Sequence, residues 1–247
     1  MNSPLDAPAV WLERLVKDYA SDWRGGRVRA LDGVTLAVAR GSVCALVGAN
    51  GSGKSTALKL CAGLVRPTAG GCRVAGLTPA EAARCGRVAY LPEETLLPDF
   101  DSARGFLRRL AAIGGIDGAA AGAAVETALA QTGLAALADR PLATFSKGQR
   151  QRVGLAQALL RGPDILLLDE PASGLDPHAQ AALQALIVRQ RALGRTVVLT
   201  AHFLTPLEEF CDQFVLLHGG RVIFEGSRAA VTARGGLERI YRKEVPP

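Results

Sequence analysis

Long apolar runs are missing from this 247-residue sequence: stretches such as Ile165–Leu168 and Phe214 to Leu217 are strand-sized, and none approaches the ~18–20 residues of a bilayer-crossing helix. Cysteine is sparse and follows no pairing pattern. Its five positions, Cys44, Cys61, Cys72, Cys85 and Cys211, contain no CxxC and leave one over, which argues against a disulfide framework or a zinc site and for reduced thiols in a reducing compartment. The opening MNSPLDAPAVWLERLVKDY has Asp6 and Glu13 where a signal peptide needs a basic flank and an apolar run, so a soluble, cytoplasmic chain is expected. Lysine is scarce as well. Of the 29 basic residues 24 are arginine, and the net charge of +6 is compatible with a nucleotide, a nucleic acid or an anionic membrane surface without choosing among them.

What is present is an ordinary globular composition, 49% hydrophobic and 21% charged, which excludes a mostly disordered, collagen-like or coiled-coil chain. The length suits one large α/β unit or two small ones. Residues 10–16 and 28–38 mix β-branched and polar residues in short alternating runs, predicting antiparallel strands joined by a turn at Arg24-Gly25-Gly26. Val43–Val47 predicts a buried strand running into a glycine-rich loop, and 55–64 a helix carrying Leu58, Cys61, Ala62 and Leu64. A further strand is predicted at Val88–Leu91. From about 102 to 138 no strand pattern occurs; Phe106, Leu107, Leu110 and Ile113, then Val125 and Leu129, predict two helices, with the Ala/Gly-rich tract read as helix. After Ser146 come a helix through Leu160, a strand at Ile165–Leu168, a helix over about 177–193 and a strand at 197–200. A short helix capped by Thr205-Pro206 and a closing hairpin around Gly219-Gly220 complete the chain. Such alternation implies a parallel sheet covered by helices.

Gly48-Ala49-Asn50-Gly51-Ser52-Gly53-Lys54-Ser55-Thr56 satisfies GxxxxGK(S/T), with the predicted strand before it and the helix after it. Glycines let successive backbone N–H groups turn inward toward an anion, the helix N-terminus adds partial positive charge, and Lys54 adds a full one. Ser55 is placed to ligate Mg²⁺, which prefers oxygen ligands including phosphate oxygens. The second requirement of nucleoside-triphosphate chemistry is carboxylate, and Ile165-Leu166-Leu167-Leu168-Asp169-Glu170 is an apolar strand ending in two acids. Asp169 would hold Mg²⁺ through its hydration shell, and Glu170 would orient and deprotonate the attacking water.

Phe145-Ser146-Lys147-Gly148-Gln149 resembles the LSGGQ signature of the nucleotide-binding subunits of ABC transporters and stands at that family's usual spacing from Lys54 and Asp169. Ser173-Gly174-Leu175-Asp176 resembles the D-loop, and His202, just after a strand, the H-loop. Tyr19 sits about where the family's adenine-stacking aromatic lies, with Trp23 as a rival. The resemblance covers about 10–226. It implies a single α/β domain over 1–247, a P-loop NTPase fold with a parallel core sheet, an N-terminal antiparallel β-subdomain and an inserted helical subdomain. Core and β-subdomain take about 1–92 and 163–226, the helical subdomain about 93–162, and a short tail 227–247 in which no further domain is legible.

The resemblance also implies ATP and Mg²⁺ as ligands, with Gly48 to Thr56 and Tyr19 on the nucleotide. Ser146, Gly148, Gln149 and Asp176 would serve the nucleotide bound by the opposite subunit, in a head-to-tail dimer of two copies or of homologous subunits. His202 would contact the γ-phosphate and help place the water, whereas His178 and His218 are expected to be structural. Glu93 departs from the family's usual Gln; its carboxylate can still meet Mg²⁺ or the water. Lys147 replaces the first signature glycine, either adding charge near the opposite nucleotide or pointing to solvent. Leu91-Pro92-Glu93-Glu94 and Lys147 resemble the exporter branch that pairs with short six-helix permeases.

The implied function is ATP hydrolysis driving a separate membrane permease in export, from the inner face of the membrane, with no nucleic acid as partner. The helical insertion and the segment after Glu93 would meet the permease. The alternative, a soluble ABC-type ATPase acting on ribosomes or DNA, would bring a second ATPase unit or a long coiled coil. Neither is present. A guanine-reading NKxD-like motif is also absent, and the cargo is not written in this sequence.

Overall fold

Alternation of apolar and polar side chains makes the N-terminal region a sheet with one dry face. In the computed structural model, which describes residues 7–20, 26–202 and 207–245, β1 (Val10–Ala20) pairs antiparallel with β2 (Arg27–Val38). Leu12 lies beside Leu36 and Leu15 beside Val34, all four buried, while Trp11 and Glu13 are exposed. Next come β3 (Val43–Val47), α1 (Lys54–Cys61) and β4 (Ala69–Val74), the last pairing with the other edge of β1 to complete a sheet ordered β2-β1-β4. Periodicity does not find β4, because its Ala-Gly-Gly opening carries almost no β signal. The helix predicted over 55–64 is shorter than expected at its far end. Gly63 takes φ +73°, and its N–H and that of Leu64 bond back to Leu60 and Lys59, which ends α1 and leaves Leu64 exposed.

A reciprocal Thr78–Glu81 cap opens α2 (Pro79–Arg84), which leads to β5 (Val88–Leu91). The expected helical insertion is present as α3 (Ala103–Ile113) and α4 (Gly118–Gln131), with Leu107, Val125 and Leu129 fully buried; α5 (Lys147–Leu159) follows. Alternation then resumes with β6 (Ile165–Leu168), α6 (Pro177–Ala192), β7 (Thr196–Ala201), α7 (Leu207–Phe210) and the hairpin β8 (Gln213–His218) and β9 (Arg221–Ser227). The predicted Thr205-Pro206 cap, Trp23, and Arg24-Gly25 of the predicted turn lie outside the described residues. Among the described residues no helix is long and apolar enough to cross a membrane.

The larger sheet is ordered β5-β6-β7-β3-β8-β9 and is parallel except for the β8–β9 hairpin. β3 lies inside it with every residue buried. Its side chains alternate between two cores: Val43, Ala45 and Val47 join the cluster shared with the helical insertion, and Cys44 and Leu46 join the one shared with the antiparallel sheet and α1. All five cysteines are free, and burial holds the Cys44 thiol well above the usual range and pushes Cys211 up to about 12.

The stretch after Gly226 is part of this packing and not a loose tail. It forms α8 (Arg228–Ala233) and α9 (Leu237–Glu244), whose Val231, Leu237 and Ile240 are buried in the same core as Phe210 and Phe214. The Glu208 carboxylate accepts the Leu237 N–H at 2.7 Å and so ties the start of α9 to α7. Leu237→Ala is therefore expected to cost about 2–5 kcal/mol in urea unfolding; a parental midpoint and slope would place α9 outside the cooperative unit.

Candidate functional site

The loop leaving β3 is shaped by two close approaches that only glycine permits. A Cβ on Gly48 would stand 2.2 Å from the Leu217 carbonyl oxygen, and one on Gly53, whose φ is +105°, would stand 2.5 Å from that of Ala30. The chain thus turns tightly under β2 and β8 before α1 begins at Lys54. That lysine is only 5% exposed, so its ammonium needs partners within the protein. It donates to the carbonyls of Gly48 at 2.8 Å and Ala49 at 3.2 Å and lies 3.4 Å from Glu170 Oε1. Ala49, Asn50 and Gly51 form the exposed rim, and Thr56 is half-buried in the first turn of α1.

The acids follow from β6, which lies two places from β3 in the sheet, with β7 between them. Asp169 is 3% exposed and receives three hydroxyls: Ser55 Oγ at 2.9 Å and Thr200 Oγ1 at 2.8 Å donate to its Oδ1, and Tyr90 OH at 2.9 Å donates to its Oδ2. Burial, and then the Asp169 carboxylate beside it, push the Tyr90 phenol well above its ordinary range, so it remains a donor at any physiological pH. Glu170 takes φ +45°, an uncommon conformation for a non-glycine residue, which turns its side chain off the strand line toward Lys54 and His202. Its N–H is held by Thr200 Oγ1 at 2.7 Å, and its Oε2 lies 2.7 Å from His202 Nδ1.

These contacts unite Lys54, Ser55, Asp169, Glu170 and His202 in one hydrogen-bonded cluster. Thr200 and Tyr90 belong to it too, although motif spacing does not point to either. The signal for Thr200 is a hydroxyl closing an otherwise apolar strand, since a buried hydroxyl must find a partner. Glu93 is placed differently: it is exposed, and among the described residues no hydrogen bond or ion pair joins it to Asp169, Glu170 or His202. Its charge is felt at the Tyr90 phenol. Tyr19 lies near the end of β1, opposite Val28 and 36% exposed, with the Lys17 ammonium 4.9 Å from its ring centroid.

A second group forms at the neighbouring starts of α5 and α6. Ser146 and Gln149 cap α5 reciprocally, the Gln149 N–H donating to Ser146 Oγ at 3.3 Å and the Ser146 N–H to Gln149 Oε1 at 3.0 Å. A Cβ on Gly148 would approach that of Ala179 to 3.2 Å, so the two helices meet closely here. Asp176 caps α6 by accepting the Ala179 N–H at 2.8 Å. Lys147 reaches over the chain's own Gly174, where a Cβ would stand 2.3 Å from Nζ. Gln151 donates to the Pro171 carbonyl at 3.3 Å, linking α5 to the turn after Glu170. No hydrogen bond or ion pair among the described residues joins Ser146, Gly148, Gln149 or Asp176 to Gly48 through Thr56. His178 is exposed in the first turn of α6, two residues past Asp176, and His218 is half-buried at the end of β8.

The first group has the chemistry of a nucleoside-triphosphate site. Ser52 Oγ is buried against the loop with no hydrogen-bond partner, in keeping with an anion's place there, and Ser55 with Asp169 offers hard oxygen donors of the kind Mg²⁺ takes. Comparison with known proteins agrees with that chemistry. The ABC transporter family pattern matches residues 31–173, more than half of the chain. The chain is similar to the methionine import ATP-binding protein MetN 2 of Paraburkholderia xenovorans, at 38% identity over 89% of this chain and 58% of that protein. It is also similar to the Nod factor export ATP-binding protein I of the same organism, at 33% over 91% and 73%. It spans between 58% and 65% of the length of the first curated relatives that it matches. A solved structure described as the ATP binding subunit of an ABC transporter superimposes with a TM-score of 0.81 at 32% identity, covering 95% of this chain and 98% of that one.

Thr200, fully buried, joins both acids through one hydroxyl. Thr200→Val leaves the Glu170 N–H without its acceptor and removes one of the three hydroxyl donors to Asp169, and should lower stability by about 1–3 kcal/mol in guanidinium unfolding. Parental stability would mean that this hydroxyl does not hold the two strands' ends together.

Proposed function

This chain belongs to the ABC transporter family, and from that premise we propose that it is the ATP-binding and hydrolysing subunit of a transporter, closing head to tail with a second copy or a homologous subunit around two ATP. It drives a separate membrane permease. The observation that carries this reading is the single cluster in which Lys54 bridges the loop to Glu170 while Ser55 meets Asp169 and His202 meets Glu170. A Gly-rich turn that merely opened a helix would have no reason to converge on two buried acids and a histidine.

In this reading the N–H groups of Gly48 to Thr56 and the Lys54 ammonium hold the phosphates, and Ser55 and Asp169 hold Mg²⁺. Bound Mg²⁺ supplies neutralising charge on the phosphate oxygens. Lys54 exchanges its present carbonyl and carboxylate partners for phosphate oxygens. That exchange releases Glu170 Oε1, and Glu170 then takes a proton from the attacking water while His202, bonded to its other oxygen, fixes its orientation. Ser146, Gly148 and Gln149, with Asp176 beside them, serve the phosphates of the opposite subunit, because in their own chain they form a separate group. Tyr19 carries the adenine. Glu93, just past β5, meets Mg²⁺ or the attacking water.

Export is the direction assigned, on Leu91-Pro92-Glu93-Glu94 and Lys147; import and export relatives both match this cassette, at 38% and 33% identity, so overall identity does not decide it. The permease contact is assigned to the segment after Glu93 and the helical insertion. There Leu96 and Phe100 stand 90% and 89% exposed, an apolar pair with no partner in the fold's two cores.

The decisive variant is Glu170→Gln, which should bind ATP, accumulate as a dimer in size-exclusion chromatography and release phosphate at least about 10²-fold more slowly. Hydrolysis at the parental rate would remove Glu170 as the base. Leu96→Ser with Phe100→Ser tests the docking surface separately: the isolated subunit should keep its hydrolysis rate but no longer co-purify with its permease. Undiminished co-purification would move the contact elsewhere.

A further inference from the structure

We propose that Tyr90 is a positioning residue for the metal-binding carboxylate, its hydroxyl fixing the rotation of Asp169 so that one oxygen faces Ser55 and the phosphate loop. This inference rests on the nucleotide-site reading above and adds a residue that no motif marks. It starts from sheet register. β5 and β6 pair in parallel with Tyr90 opposite Leu167, and the ladder continues as the Asp169 N–H donates to the Leu91 carbonyl at 2.9 Å. Asp169 is two residues beyond Leu167, so Tyr90 and Asp169 occupy the same face as diagonal neighbours, within reach of an aromatic side chain.

The hydroxyl divides the labour of the two carboxylate oxygens. Oδ1 receives Ser55 and Thr200, whereas among the described residues Oδ2 receives only Tyr90, at 2.9 Å. A carboxylate turns readily about its terminal bond unless both oxygens are held. Thr200 alone holds one oxygen, and Ser55 is itself a prospective ligand that must leave Asp169 to reach the metal. Among the described residues Tyr90 is then the sole donor left on the far side. Packing does not require this hydroxyl: the ring sits half-buried against the core of the antiparallel sheet, where phenylalanine would fit equally. Burial of an O–H demands a partner, and the partner found is the one acid whose orientation matters for the metal.

The test is made on the whole protein with Mn²⁺ as probe for Mg²⁺. Tyr90→Phe should raise the Mn²⁺ concentration for half-saturation in the presence of ATP about tenfold, read by electron paramagnetic resonance, as expected for loss of a group supporting a metal ligand. ATP binding in EDTA, measured by equilibrium dialysis, and the melting temperature should stay near parental values. Unchanged Mn²⁺ binding in Tyr90→Phe would overturn the proposal. So would a shift confined to Tyr90→Leu, which would assign the effect to ring packing. If the parent itself bound no Mn²⁺ with ATP, the nucleotide-site reading would fall and this inference with it, an outcome distinct from a normal parent beside an unaltered Tyr90→Phe.

Discussion

The buried ammonium of Lys54 is the charge around which the rest of the site is arranged. Removing it from water is tolerable only with close partners on several sides, and they come from distant parts of the chain: the Gly48 and Ala49 carbonyls at the end of β3 and the Glu170 carboxylate beyond β6. Those partners converge because the order β6-β7-β3 sets three parallel strands side by side with their C-terminal ends together. β3 delivers the loop, β6 the two acids, and β7 delivers Thr200 and, just past its end, His202. Change the strand order and the ammonium loses its counter-charge.

The same demand explains the local strain. Glu170 stands one residue past Asp169, and on a regular strand the two side chains would point to opposite faces. Both are needed on one side of the site, and the positive φ of Glu170 with the Thr200 hydroxyl on its N–H supplies the turn. The rigidity to hold it comes from two cores packed against the sheet, since every residue of β3 and β6 is buried. Even the C-terminal α9 contributes, through Leu237 in the core behind the site.

Features with a short, rigid spacing were legible in the sequence, and features made by long-range contact were not. Gly48 to Thr56 and the Asp169-Glu170 pair could be read because each forms its part of the site with neighbouring residues, so the geometry is written in consecutive letters. The parallel sheet and the helical insertion followed from periodicity alone. Tyr90 and Thr200 escaped because each acts through a partner 79 or 31 positions away, and on their strands both look like ordinary β formers. β4 escaped for the opposite reason: its glycines, one of them closely approached by the β1 backbone at Arg14, suppress the very signal by which strands are recognised.

The capping bonds at the start of α5 determine what that turn has left to offer. Ser146 Oγ and Gln149 Oε1 both accept backbone N–H groups, so the cap uses acceptor capacity on the two side chains. What remains is donors: the Ser146 O–H, the Gln149 amide hydrogens and the Lys147 and Gly148 N–H groups, with the partial positive charge of a 13-residue helix behind them. Donors gathered at a helix start in this way favour an anion. Its own chain's phosphate loop shares no bond with it among the described residues, and α6 packs against it closely enough at Gly148 and Ala179 to keep it where it stands. An anion held by the loop of another subunit satisfies both conditions at once. On that argument the proposed dimer follows from where the donors are fixed.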